Sequence, residues 1–232
     1  MSTNRKRPSK RLQKEIKLRL VITAGPTREY FDTIRFISNP STGRMGYAIA
    51  DAAAKAGHRV TLVSGPVELA APAGVKVIRV ETAEEMLKAS RRAFAGADAA
   101  IFCAAVSDYR PKKRADKKLP KQMMNRRIEL APTPDIAATL GRAKGRRVTI
   151  GFALEDHDGR AHAERKLVRK HCDAIILNDP GNVGSDRASA EFLVRGGEWQ
   201  VWPRSTKPQM ARRIIQSLQR LWAARTRVTK AE

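Results

Sequence analysis

Three short stretches carry side chains suited to chemistry. Ser41-Thr42-Gly43 stands directly before a run in which Met45, Ile49, Ala52, Ala53 and Ala56 recur at helical spacing. A helix start of this kind offers unpaired backbone N–H groups and the positive end of a dipole, an arrangement that suits phosphate. The excursion before it adds Arg28, Asp32, Arg35 and Asn39. A capped helix without a ligand accounts for a lone Ser-Thr-Gly equally well. Two arginines and an asparagine in the same loop favour an anion. Lys166 and Lys170 are four residues apart in a helical stretch, so both ammonium groups share one face. Taken alone, such a pair is ordinarily a solvated basic face. The third stretch, Ala104-Ala105-Val106-Ser107-Asp108-Tyr109, ends an apolar run. Small residues at 104 and 105 let a flat ring approach the backbone, and Asp108 suits a ribose hydroxyl or a metal ion. A tight apolar turn with an Asp cap is the alternative.

The elements that must position these residues alternate. An apolar strand over residues 18–23 leads through the loop to a helix that Gly57 stops, and a second strand follows at 59–63. That is the first unit of a parallel α/β sheet. Neither the dinucleotide fingerprint G-x-G-x-x-G nor the Walker pattern occurs between strand and helix. Further on, the sequence predicts a strand at 75–80 and a helix capped by Thr82, with Glu85 completing a capping box. A fully apolar, central strand follows at 99–103. Residues 110–127 are strongly cationic and read as an exposed flap. A short strand at 128–130, a helix from about Thr133 to Gly141, and a strand at 147–152 come next. They are followed by a helix at 159–171, a strand at 173–177, a hairpin turned by Gly196-Gly197, and a last helix capped by Thr206. Ligands in open α/β sheets lie at the carboxyl ends of strands, where strand order reverses. The expected organisation is one domain over residues 18–224. A basic arm at 1–17, expected to be disordered, precedes it, and a tail at 225–232 follows.

At 232 residues the chain is long enough for a full core, and no apolar run reaches the length of a bilayer span. The basic N-terminus lacks the apolar region of a secretory signal. Cys103 and Cys172 stand in no metal-ligand spacing and read as reduced thiols of a cytoplasmic protein. The formal net charge of +23 implies non-specific affinity for polyanions, nucleic acid included. With 5% aromatic residues and no Arg/aromatic platform, specific nucleic-acid recognition is disfavoured.

The ordered set Gly25-Pro26-Thr27-Arg28-Glu29, Asp32, residues 35–46, residues 104–109, residues 133–136 and Gly151-Phe152-Ala153 resembles phosphopantothenate–cysteine ligase. The match extends from about Leu18 to the last helix. In many bacteria this enzyme is the C-terminal half of a bifunctional coenzyme A biosynthesis protein. The resemblance implies a Rossmann-like fold with helices on both faces of a mostly parallel, twisted sheet and a protruding flap. It also implies a homodimer, and a CTP-dependent, Mg2+-requiring ligation of 4'-phosphopantothenate with L-cysteine. An acyl-cytidylate would form with release of pyrophosphate, and the cysteine amine would then displace CMP.

Carried over by position, the nucleotide site would comprise Ser41, Thr42, Gly43, Phe102, Cys103, Ala104, Asp108, Pro134, Asp135, Ile136, Ala137, Phe152, Lys166 and Lys170, with Asp108 towards the metal. Lys118 resembles the lysine tied to acyl-cytidylate formation. Asn39 and Arg35 resemble residues that hold the intermediate and pass it to cysteine. Such chemistry needs cations to neutralise the meeting of two anions and no protein nucleophile. Two departures stand out. The flap reads Lys118-Leu119-Pro120-Lys121 where the family commonly has Lys-Ile-Lys-Lys, and Pro120 removes a backbone donor expected to serve pairing across the dimer. The flavin-binding decarboxylase half does not precede the ligase pattern, so a stand-alone ligase without flavin is expected, with the decarboxylase on another chain. A ligase relative altered at the flap is the main competing reading. Tyr109 and Lys113 have the Tyr-x-x-x-Lys spacing of short-chain dehydrogenases, but Pro111 between them argues against the helix that pair requires.

Overall fold

A computed structural model describes residues 17–121, 127–182 and 184–228. Strand β1 (Arg19–Ala24) alternates its side chains between two cores. Leu20, Ile22 and Ala24 point to one face of the sheet and Val21 to the other. On either side of it run β4 (Arg59–Ser64) and β6 (Ala99–Phe102), both parallel to it. Beyond β4 lies β5 (Val75–Arg79), and beyond β6 lie β9 (Val148–Leu154) and β10 (Ala174–Asn178), all parallel. The antiparallel strands β11 (Arg187–Val194) and β12 (Trp199–Thr206) complete the sheet, in the order β12-β11-β10-β9-β6-β1-β4-β5. The six parallel strands follow the doubly wound Rossmann order, and the direction of winding reverses between β1 and β6.

Helices cover both faces. α1 (Arg44–Lys55) and α5 (Lys207–Val228) pack together on one, sharing a core with Ile22, Ile49, Leu62, Ile150 and Ile214. α2 (Ala83–Ala95), α3 (Ile136–Arg142) and α4 (Gly159–Arg169) cover the other, over Val63, Met86, Leu140, Leu167 and Ile175. The expected capping box is present: Thr82 Oγ1 accepts from the Glu85 N–H at 3.2 Å, and the Glu85 carboxylate accepts from the Thr82 N–H at 3.4 Å.

Two small hairpins stand off the sheet. β2 (Arg28–Tyr30) pairs with β3 (Phe36–Ser38), and β7 (Tyr109–Pro111) with β8 (Leu130–Pro132). The short strand expected at 128–130 is therefore displaced to 130–132. Tyr109 opens a strand, not the helix that a dehydrogenase pair needs. α4 ends at Arg169, before the expected 171, because His171 takes a left-handed φ of 53°. α5 runs past the expected boundary at 224 to Val228, and Arg225 donates to the Asp173 carboxylate at 2.5 Å. Of the arm at 1–17, residues 1–16 lie outside the described residues, as do 122–126 of the flap and 229–232 of the tail. Among the described residues, no helix is long and apolar enough to cross a membrane.

Candidate functional site

The carboxyl ends of β1 and β6 are held at a fixed separation. Thr23 Oγ1 accepts from the N–H groups of both Cys103 and Ala104 at 3.2 Å, and the Ala105 N–H donates to the Gly25 carbonyl at 2.9 Å. Above this switch point opens a cavity of about 770 Å³. One wall is the loop and helix start at residues 39–46, and a second is residues 102–106 with Asp108. Residues 132–137, the end of β9 at 152–154, and the Lys166, Arg169 and Lys170 side chains of the α4 segment close it. Every residue carried over by position lines it except Arg35 and Lys118, and Arg28 and Asp32 of the expected anion loop do not line it either.

The first wall is shaped by glycine. Gly43 precedes α1 with φ 71°, and Gly46 lets the helix approach β1 so closely that an added Cβ would lie 2.4 Å from the Ala24 Cβ. The first N–H groups of α1 are thereby seated at the mouth of the strand. Asn39 Nδ2 donates to the Val106 carbonyl at 3.1 Å and so ties the two walls together.

Both lysines of the predicted pair are already in ion pairs. Lys166 Nζ lies 2.5 Å from Glu155 Oε1, and Lys170 Nζ lies 3.4 Å from Asp135 Oδ1. Asp135 also caps α3, accepting from the Ala138 N–H at 2.9 Å. A third lysine, Lys207 at the start of α5, lines the cavity and donates to the Ser185 carbonyl. Burial, and after it the neighbouring Arg44, lower its pKa. The side chains of Arg44, Arg169, Asp179 and Lys207 were not singled out from the sequence. Lys207 had one visible signal, its place directly after the Thr206 cap.

Cys103 lines the cavity, but burial pushes its thiol up to about 12, so it is protonated at neutral pH and unsuited to attack. Buried Cys172 is pushed up to about 11 for the same reason. Asp108 is exposed at the rim. Among the described residues no group of three metal-ligating side chains exists. One carboxylate at the rim fits Mg2+ brought in on phosphate oxygens, because that ion is commonly held by one or two carboxylates plus substrate phosphates.

Arg35 and Lys118 stand elsewhere. Asp32 is fully buried, and Arg35 Nε donates to its Oδ2 at 2.8 Å. The same Arg35 donates to the Leu119 carbonyl at 2.7 Å, and the Leu119 N–H donates to Asp32 at 3.3 Å. Burial alone would raise the pKa of Asp32, but the N–H groups of Arg35 and Ile34 and the Arg35 guanidinium hold it far below the carboxylate range. This pair pins the flap one residue beyond Lys118, whose own side chain is exposed. Within one chain, Arg35 is an anchor of the flap and not part of the cavity wall.

A family model described as "DNA/pantothenate metabolism flavoprotein C-terminal domain" matches residues 16–221. A protein named cysteine/cysteine sulfinic acid decarboxylase, from an unknown prokaryote, is 43% identical over 206 residues, which are 86% of this chain and 57% of that protein. The coenzyme A biosynthesis bifunctional protein CoaBC of Bacillus subtilis is 39% identical over 204 residues, 86% of this chain and 50% of its own length. The chain thus spans about half the length of the curated relatives it matches. The crystal structure of a CoaBC C-terminal domain superposes with a TM-score of 0.80 at 37% identity, covering 90% of this chain and 98% of that one. A Cab2 mutant in complex with phosphopantothenate-cysteine shares the fold at a TM-score of 0.75 and 16% identity, over 91% of this chain and 88% of that one. With a cavity at the switch point and a family match over residues 16–221, the chain belongs to the DNA/pantothenate metabolism flavoprotein C-terminal domain family.

Proposed function

We propose that the chain joins 4'-phosphopantothenate to L-cysteine at the expense of CTP, as the ligase half of coenzyme A biosynthesis. One observation carries this reading. A helix N-terminus, a turn of small residues and the Lys166/Lys170 pair converge on a single cavity of nucleotide size. In this reading the α1 start and the lysines take the triphosphate, while Ala104, Phe152 and residues 134–137 flank the base and sugar. Mg2+, held by Asp108 and the phosphates, would lower the charge that the attacking carboxylate meets. The substrate carboxylate attacks the α-phosphorus, giving the acyl-cytidylate and pyrophosphate. The neutral cysteine amine then attacks the acyl carbon, CMP leaves, and the amine proton is lost to solvent. Lys118, on the exposed flap and outside the cavity of its own chain, would neutralise charge in the first step from across the dimer that this reading includes. Asn39, in the fixed wall, orients the acyl phosphate for the second.

The reading includes a homodimer. Ile34, Phe36, Tyr109, Ile128 and Leu130 are large, apolar and exposed, and all lie on or beside the two small hairpins. A partner there would cover them and bring its own flap and Arg35 to the interface. The test is mass spectrometry of reactions containing all three substrates. Phosphopantothenoylcysteine, CMP and pyrophosphate should appear in equal amounts. Omission of any one substrate should abolish the amide product.

A further inference from the structure

We propose that Glu155 is a positioning residue for the nucleotide reaction, fixing the direction in which Lys166 enters the cavity; this rests on the nucleotide reading above. Glu155 directly follows β9, and its side chain is only 11% exposed. Its two oxygens serve two residues one turn apart on α4. Oε1 is 2.5 Å from Lys166 Nζ, and Oε2 is 3.2 Å from His162 Nδ1. The lysine approaches Oε1 off the hydrogen-bond direction, so the contact is Coulombic. Lys166 lines both the cavity and a neighbouring cleft, whereas Glu155 and His162 line only the cleft, so the carboxylate approaches the lysine from outside the nucleotide cavity.

A lysine stem has many rotamers, and a phosphate must otherwise select one of them at the moment of binding. An ammonium has three donors. With Glu155 as counter-charge, at least one remains for a phosphate oxygen, and its direction is set before the ligand arrives. Lys170 is held less closely: its partner Asp135 is 3.4 Å away, 38% exposed, and shared with the α3 cap. Glu155 therefore holds its lysine more closely than Asp135 does. Two other arrangements are conceivable and give different results. As a mere brace of α4 on β9, Glu155 would affect folding alone. As a competitor for the lysine, it would weaken nucleotide binding, and its removal would help.

The test is a double-mutant cycle on the full chain, with steady-state kinetics and CTP titration by calorimetry. Glu155→Gln keeps the length and removes the charge. It should raise the KM and Kd for CTP about tenfold, a usual coupling for contacting residues, and leave the KM for cysteine within about twofold. Lys166→Ala should weaken CTP binding about tenfold or more, and Glu155→Gln added to it should cost less than a further twofold. His162→Gln, which frees the same carboxylate from its other side, is measured in parallel and should give a smaller loss of the same kind. Unchanged or tighter CTP binding by Glu155→Gln overturns the proposal, as does full multiplication of the two single effects in the double variant. If Lys166→Ala weakens CTP and Glu155→Gln does not, the positioning function alone fails. A wild-type chain that binds no CTP overturns the nucleotide reading as well.

Discussion

Replacing Gly46 by alanine sets two opposing effects against each other. An exposed glycine-to-alanine change inside a helix gains about 1 kcal/mol from propensity. Gly46, however, is buried in the first turns of α1 against β1, and the new Cβ would meet the Ala24 Cβ at 2.4 Å and its Cα at 3.1 Å. Ordinary carbon contacts lie at about 3.5–4.0 Å, so α1 must retreat by about 1 Å. Ala24 is fully buried and has no rotamer with which to yield. Overpacking of this kind costs about 1–3 kcal/mol. Set against the propensity gain, the clash leaves a net loss of up to about 2 kcal/mol, lowering Tm by up to about 8 °C for a chain of this size. The retreat also carries residues 41–43 away from the opposite wall. A displacement of about 1 Å at a reacting site costs up to about 100-fold, so CTP turnover should fall further than stability implies. Differential scanning calorimetry and initial rates on the same preparation decide the matter. A Tm equal to or above the parent, with full activity, would refute the close approach of α1 to β1 and its bearing on the site.

Lys170→Ala should weaken CTP binding by about tenfold or more, since charge-assisted contacts contribute about 1.5–3 kcal/mol. Its effect on Tm should be slight because its partner Asp135 is half exposed; unchanged affinity by calorimetry would return the lysine to a solvated face. Asp135→Ala should cost about 1 kcal/mol of stability through the lost α3 cap, read as a Tm shift. Lys118→Gln should abolish pyrophosphate release, whereas Asn39→Asp should permit it and let acyl-cytidylate accumulate; failure of both at one step, seen in quenched reactions, would contradict the division of labour. Burial lowers the pKa of His58, whose Nδ1 accepts from the Leu18 N–H at 3.2 Å. The folded state therefore resists its protonation, and this stabilisation is present above the unfolded pKa of about 6.5 and is lost as pH falls below it. The drop in Tm from pH 7.5 to 5.5 should be smaller in His58→Gln than in the parent.

The sheet and its helices were legible where period and caps agreed. The apolar run of β1, the Met45/Ile49 stripe of α1 and the Thr82/Glu85 box each predict an element that is present. Of the small hairpins only one strand was, expected at 128–130 and found at 130–132. β2, β3, β7 and β8 have three residues each, too few for a period to emerge. Pro111 and Pro132 within them also suppress any strand propensity. β8 is placed by its partner β7, about twenty residues earlier, and not by its own composition. The site was legible where residues lie at strand ends or helix starts, as with Ser41, Ala104 and Phe152. Lys207 escaped because only the sheet order, with β12 running parallel to β10, brings the start of α5 over the cavity. Arg35 was assigned from the resemblance; its pairing within one chain with Asp32 and Leu119 depends on the folded flap and was not legible in the sequence.

In the proposed reaction this cavity couples a cytidine nucleotide to amide formation. The most direct measurement is the rate of pyrophosphate release from CTP, ATP, GTP and UTP, each with phosphopantothenate and cysteine present. Release from CTP should stand well above that from the other three, with none in the absence of phosphopantothenate. Equal or faster release from ATP, or release that ignores phosphopantothenate, would contradict it.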